Sequence, residues 1–298
     1  MSFLSLPNEI LVMIASYLES DKDLRAFSLA SKEFYPAVSP VMYRNNIRNH
    51  SSSGLFWAAR HGQPTTATRF LKYGADANVG DSTGVRPLWG AVQGGHVTVA
   101  QILLAHGADL HNSDEPPDLY PTYPPALYVA VREGNGDMVR LLLDHGADPN
   151  LNGRQPETIL QVAVTRSDNH LIQLLLDHGA DLNAAGSDGD SVLESAARCG
   201  NLKAANILLQ NGADVNQDNG SGTPLYTAAH NGRAYMVQLL LDWGADVNAV
   251  AGSHGSALRA AWCQNRTGIA NLLLAYGADS TMGEYIPYNS WSFNNCDY

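Results

Sequence analysis

Only three of the 298 residues are cysteine: Cys199, Cys263 and Cys296. They are too few for a disulfide framework and share no short metal-ligand spacing, so they read as reduced thiols in an intracellular compartment. Basic residues are scarce too. The 18 Lys and Arg stand against 29 Asp and Glu, a net charge of −11. That balance argues against wholesale wrapping of nucleic acid or an anionic membrane, which needs clustered cations. No basic cluster reads as a nuclear import signal, so cytoplasm and nucleus both stay open. No apolar run approaches the ~18 residues of a membrane span. Around Ile10 to Ala15 the chain is apolar, but Pro7, Asn8 and Glu9 stand where a signal peptide would carry positive charge.

Catalytic signatures are missing as well. There is no Gly-Lys-Ser or Gly-Lys-Thr phosphate loop, no Gly-x-Gly-x-x-Gly, no His-Glu-x-x-His, no Cys-x-x-Cys and no Gly-x-Ser-x-Gly. No nucleophile stands beside a base, so no catalytic residue, metal or cofactor is nominated.

What is present is repetition. Gly-Ala-Asp occurs seven times, beginning at Gly74, Gly107, Gly146, Gly179, Gly212, Gly244 and Gly277, with spacings of 33, 39, 33, 33, 32 and 33 residues. A fixed period of this size marks a stack of like supersecondary units. One copy runs Gly222-Thr-Pro-Leu-Tyr-Thr-Ala-Ala-His-Asn-Gly232, then Met236-Val-Gln-Leu-Leu-Leu-Asp-Trp-Gly-Ala-Asp-Val-Asn248. Pro224 suits the first turn of a helix. Ala228 and Ala229 let the neighbouring helix approach, and Gly232 ends the helix. In the second helix Val237, Leu240 and Leu241 form an apolar stripe at i, i+3, i+4. Gly244 suits a left-handed C-cap that throws the chain out into a hairpin. His106, His145 and His178 each precede such a glycine. Imidazole favours a helix C-terminus, which is the plainer reading than a ligand set.

Period, double alanine, leucine triplet and Gly-Ala-Asp turn together resemble the ankyrin-repeat family, across about three quarters of the chain. The resemblance implies an all-α solenoid of helix pairs with β-hairpin-like loops, a scaffold for gripping something else rather than a vessel for chemistry. One departure stands out. Where the family carries the histidine of Thr-Pro-Leu-His, this chain has Phe56, Trp89, Tyr128, Gln161, Glu194, Tyr226 and Arg259. The expectation is that the hydrogen bonds of that histidine are lost, with aromatic packing in their place in the first three repeats. Trp262 replaces a small alanine in the last repeat and is expected to help close that end.

The first 48 residues break the period. They read Leu6-Pro-Asn-Glu-Ile-Leu-Val-Met-Ile-Ala-Ser-Tyr-Leu18, then Asp23-Leu24, then Phe27-Ser-Leu-Ala-Ser-Lys-Glu-Phe-Tyr35 and Val41-Met-Tyr-Arg44. Pro7 opens a helix, Glu9 lies in its first turn, and Ile10, Ile14 and Leu18 share a face. Asp21 or Asp23 can cap a second helix carrying Leu24, Phe27 and Leu29. Three short helices make a core that is marginal alone. This segment resembles an F-box, which implies docking on the Skp-type adaptor of a cullin–RING ubiquitin ligase. Leu6, Pro7, Glu9, Ile10, Leu11 and Leu24 match the positions that would contact the adaptor. The competing reading is a helical cap over the first repeat.

The expected organisation is a small three-helix F-box-like domain at 1–48, about seven ankyrin repeats at 49–282 with an insertion near 114–125, and a capping tail at 283–298. The insertion holds five prolines with Tyr120 and Tyr123, a stiff loop suited either to recognition or to no role at all. In ankyrin geometry the first helices line the concave side. The residue after the double-alanine position is in turn Arg60, Gln93, Arg132, Thr165, Arg198, His230 and Cys263, with Arg166 one step on. Of these, Arg60, Gln93, Arg132, Arg166, Arg198 and His230, with Trp57, Trp89, Tyr128 and the insertion's Tyr120 and Tyr123, form the expected client face. Three arginines on so acidic a chain suit an acidic segment of a client; helix propensity and solubility account for them equally. The expected function is therefore a protein-interaction scaffold, most simply the substrate receptor of an SCF-type ligase. It would bind an adaptor and a client, no nucleic acid and no membrane, and otherwise be a monomer. A plain ankyrin interaction protein is the first alternative. A small-molecule or enzymatic site built from Trp57, Trp89, Tyr128 and Tyr226 with Arg60 and Arg132 is the second.

Overall fold

The structure is a computed structural model that describes residues 35–49, 53–81, 84–110, 124–151, 156–220 and 222–281. The chain divides into two compact units, Met1–Ala147 and Asp148–Tyr298. The described residues of the first hold α1 (Tyr35–Asn49) and three helix pairs: α2 (Ser53–Arg60) with α3 (Pro64–Lys72), α4 (Pro87–Gln93) with α5 (Val97–Ala105), and α6 (Ala126–Glu133) with α7 (Gly136–Asp144). The second holds four pairs: α8 (Ile159–Thr165) with α9 (Asn169–Asp177), α10 (Val192–Cys199) with α11 (Leu202–Gln210), α12 (Pro224–His230) with α13 (Ala234–Asp242), and α14 (Ala257–Cys263) with α15 (Thr267–Ala275). Among the described residues there is no strand; Ala185 and Ser191 form an isolated antiparallel bridge.

The small residues of each first helix do what the sequence asks of them. Ala58, Ala59, Ala91, Ala130, Ala196, Ala197, Ala228 and Ala229 are all fully buried, and successive first helices of each unit pack side by side. The leucines of the second helices fill the layer behind. Leu103, Leu142, Leu175, Leu208, Leu240 and Leu273 have no exposed surface, each contributing about 2–3 kcal/mol of apolar burial.

All seven Gly-Ala-Asp triplets close a second helix in the same way. At the first, Gly74 takes φ +91°, its N–H donates to Leu71 O at 3.0 Å, and Ala75 N–H donates to Phe70 O at 3.0 Å. These are the two bonds of a Schellman motif, and the left-handed φ is why glycine stands there. The aspartate and the asparagine two residues on then stitch one repeat to the next. Asp76 Oδ1 accepts from Asn78 N–H at 2.9 Å. Asn78 in turn donates to Gly107 O at 2.9 Å and accepts from Asp109 N–H at 2.7 Å. Asn150 repeats this pair with Gly179 and Asp181, and Asn248 with Gly277 and Asp279. The triplet persists because its backbone is the docking site for the preceding asparagine. Arg86, buried, adds an ion pair to Asp109 at 2.9 Å.

Helix α1 lies against α2 and α3. Tyr43 meets Phe70 edge-on at 4.6 Å and stacks on Tyr73 at 5.5 Å, Arg44 lies over the Tyr73 ring at 5.9 Å, and Gly54 N–H donates to Asn46 at 3.1 Å. The first repeat is thus covered by a helix that precedes the period.

Candidate partner-binding face

The family's histidine position is the third residue of the first helix in six of the seven pairs and the fourth in α2, and the structure corrects the expectation that its hydrogen bonds are lost. Trp89 Nε1–H donates to Pro124 O at 3.3 Å. Gln161 Nε2 donates to Asp190 O at 2.8 Å and to Ser195 Oγ at 3.3 Å. Both backbone acceptors are the residue just before the next first-helix N-cap, since Pro125 and Ser191 are those caps. The Tyr226 hydroxyl reaches a little further back in its loop, to Ser253 Oγ at 3.1 Å and His254 Nδ1 at 2.6 Å. Different side chains at one register position therefore supply the same service, a hydrogen bond into the following loop. Trp, Gln and Tyr can each do it because each carries a proton on N or O.

Two of these side chains also close capping boxes. Gln161 Oε1 accepts from Thr158 N–H at 2.7 Å while Thr158 Oγ1 accepts from Gln161 N–H at 3.1 Å. Glu194 Oε2 accepts from Ser191 N–H at 2.7 Å, with Ser191 Oγ returning the bond to Glu194 N–H at 3.1 Å. Glu194 is 0 % exposed and its Oε1 has no hydrogen-bond partner. Burial pushes its carboxyl up to about 7 despite the two Ser191 hydrogen bonds, and Asp218 and Asp188 add to the rise.

On the expected concave positions, Trp57 is 52 % exposed and stacks on His61 at 4.6 Å. Arg60, Gln93 and Arg132 are exposed at one register on the adjacent α2, α4 and α6. Trp89 is half-buried and Tyr128 buried, so of these three aromatics Trp57 is the exposed one. In the second unit Thr165, Arg166 and Arg198 are exposed, while His230 and Cys263 are half-buried. Two of the arginines already have anionic neighbours. Arg132 pairs with Glu133 at 3.3 Å, and Arg198 pairs with the buried carboxylate of Asp190. A client carboxylate would compete with these contacts rather than meet bare guanidinium. Trp262, expected at the closing end, is 44 % exposed. Tyr120, Tyr123, the six adaptor-facing residues Leu6, Pro7, Glu9, Ile10, Leu11 and Leu24, and the tail 283–298 lie outside the described residues.

Sequence reasoning missed the cluster around Tyr226. Its ring is buried and stacks with His230 at 6.1 Å, and His254 comes within 5.4 Å of His230. Desolvation, with His230 and Arg259 behind it, holds His254 below the usual histidine range. A hydrogen bond spanning 28 positions has no local signal in the sequence. The three histidines before the capping glycines are C-cap residues whose Nδ1–H donates to the carbonyl four residues back: His106 to Ile102 at 2.9 Å, and His145 to Leu141 and His178 to Leu174 at 2.8 Å. Among the described residues, no group of three or more His, Cys, Asp or Glu is placed to hold a metal ion, and no helix is long and apolar enough to cross a membrane.

A stack of short helix pairs with hairpin loops and an exposed first-helix face defines an all-α interaction scaffold. A family model described as "Ankyrin repeats (3 copies)" matches residues 27–114, 55–153, 127–219 and 216–283, and the chain belongs to the ankyrin-repeat family. A second model, described as F-box-like, matches residues 3–48. Over 60 residues, 20% of this chain, the sequence is 43% identical to the 2-5A-dependent ribonuclease of Mus musculus; the match spans 8% of that protein. The crystal structure of the human ASB11 ankyrin repeat domain superposes with a TM-score of 0.61 at 24% identity, covering 76% of this chain and 98% of that one. The fold is an ankyrin solenoid preceded by an F-box-like segment. Both families are typically non-catalytic.

Proposed function

We propose that this chain is the substrate receptor of an SCF-type cullin–RING ubiquitin ligase. The observation that carries the reading is the union of two recognition modules: an F-box-like match over residues 3–48 runs directly into ankyrin repeats. In this reading Leu6, Pro7, Glu9, Ile10, Leu11 and Leu24 hold the Skp-type adaptor. The client contacts Trp57, Arg60, Trp89, Gln93, Tyr120, Tyr123, Tyr128 and Arg132, and Arg166, Arg198 and His230 in the second unit. No residue of the chain reacts. Its contribution is proximity, raising the effective concentration of a client lysine at the charged ubiquitin carrier. The packing of α1 on α2 and α3 supports this, because residues 35–48 belong to the F-box-like match and also cover the first repeat. An adaptor-bound head joined in this way holds the first repeat at a fixed place.

The same contact favours a second reading, in which the head is a cap and the stack tethers a partner without ubiquitin. A pull-down of Skp-type adaptor with the full chain and with Leu6→Asp plus Pro7→Ala separates the two. Burying an unpaired carboxylate in that contact costs several kcal/mol, about a hundredfold or more in affinity. Binding by wild type that vanishes in the double variant is the expected result. Absence of binding by wild type would overturn the receptor reading and leave the cap.

A further inference from the structure

We propose that the protonated carboxyl of Glu194 latches the repeat beginning at α10 to the one beginning at α12. Register across the repeats supports the latch independently of the ligase reading. At two other repeats the side chain at this position donates into the next loop, Trp89 to Pro124 O and Gln161 to Asp190 O, and at a third the Tyr226 hydroxyl is hydrogen-bonded to Ser253 and His254. Gln161 and Glu194 are close to isosteric, and both use one oxygen to close a capping box with the N-cap residue three positions before. The remaining amide of Gln161 donates to Asp190 O and Ser195 Oγ. The residues in register with those acceptors for Glu194 are Gly222, just before the Thr223 N-cap, and Thr227. An ionised carboxylate has no hydrogen to offer the Gly222 carbonyl. Its Oε1 is buried without a partner, the condition that a low-dielectric site penalises most.

The charges around it deepen the preference. Asp218 stands in the loop before α12, its Oδ1 held by Gly220 N–H at 2.8 Å and Gly222 N–H at 3.2 Å, and Asp188 stands in the loop before α10. Both disfavour a second negative charge. Asp190, next in that loop, is matched by Arg198 of the same helix. Of the helices packed against α10, α8 carries no ionisable side chain, α12 carries Tyr226 and His230, and α11 carries Lys203, which is exposed. No unmatched cation among these faces Glu194.

The linkage sign follows. The folded chain holds this proton up to about pH 7, whereas an ordinary glutamate loses it near 4.5. Between those values the folded state binds more protons than the unfolded, so the contribution is full below 4.5 and is lost as pH rises through 7. The test is urea denaturation of the full chain and of Glu194→Gln at a series of pH values from 5 to 9, following helical circular dichroism. Glutamine supplies the donor permanently. The wild type's deficit relative to Glu194→Gln should grow with pH, reaching about three hundredfold in the unfolding constant at full ionisation. Taking the difference between the two proteins removes His254 and every other shared titration. An offset that does not change with pH would overturn the proposal. Gln161→Glu is the reciprocal variant and does not depend on Glu194→Gln folding. It should acquire a loss of stability of the same sign on the alkaline side, and a pH-independent offset there also refutes the latch.

Discussion

Replacing Gln161 by alanine removes the side chain that joins α8 to the loop before α10, and the structure allows the cost to be worked out. The amide makes three hydrogen bonds, to Thr158 N–H, Asp190 O and Ser195 Oγ. Thr158 is 3 % exposed, so its N–H loses its acceptor where water does not easily reach, a cost of about 1–3 kcal/mol. Asp190 O keeps a bond from Gly186 N–H at 3.1 Å, so that end loses only a net hydrogen bond, about 0.5–1.5 kcal/mol. The missing methylenes add a cavity term of about 1 kcal/mol. The expected destabilisation is about 3–4 kcal/mol. Gln173 is the matched control, because it is only half-buried and its amide reaches Asp177 within its own helix at 2.8 Å. Truncating it should cost under about 0.5 kcal/mol. Urea midpoints of the two variants measured side by side decide the matter. In a stack held by nearest-neighbour interfaces, the loss at Gln161 should also lower the denaturant slope as the repeats uncouple. Equal midpoints for the two variants would refute the claim that this register position carries the junction.

Two further outcomes are expected. Five of the first-helix pairs are followed by a left-handed glycine, Gly62, Gly95, Gly134, Gly200 and Gly232, but Ser167 and Asn265 occupy the same place with φ of 60° and 54°. Ser167→Gly should stabilise by about 0.5–1 kcal/mol, the relief of left-handed strain less the added freedom of the unfolded glycine, whereas Asn265→Gly should be near neutral because asparagine tolerates that conformation; thermal or urea midpoints that order the two the other way would sink the strain argument. His254 is held below its ordinary 6.5 by burial and by His230 and Arg259, so below that pH the unfolded chain binds the extra proton and stability falls as pH drops. His254→Gln should flatten the acid limb of the stability profile, and an unchanged limb would show that the histidine titrates normally.

How much of this was legible depends on the distance over which the cause acts. The Schellman turns, the alanine pairs and the leucine stripe are local, and Gly-Ala-Asp spells them out. The capping boxes are local too: Thr158-Ile-Leu-Gln161 and Ser191-Val-Leu-Glu194 carry the Ser/Thr-x-x-Glu/Gln signature. The junctions are not. Gln161 to Asp190 spans 29 positions and Tyr226 to His254 spans 28, so a rule that compared each position with a family histidine saw a loss where the chain had substituted another donor. The arginine register on the first helices was readable from the period, but the Asp190 partner of Arg198 was not, since it lies eight positions back and the carboxylate at i−4 is Glu194.

The junctions differ in a way that matters for any scaffold of this kind. A repeat array opens where the interface between neighbours is weakest. In the second unit the α8–α10 junction rests on a neutral amide and the α12–α14 junction on the Tyr226 hydroxyl bonded to Ser253 and His254. The α10–α12 junction rests on a carboxyl. On the latch proposal it is as strong as its neighbours in acid and the weakest of the three in mild alkali, with the strain falling beside Arg198, a residue of the proposed client face. Loosening there would free α10 to shift with the Arg198–Asp190 pair it carries, so the client face and the protonation of a buried acid would be tied through a single helix of eight residues.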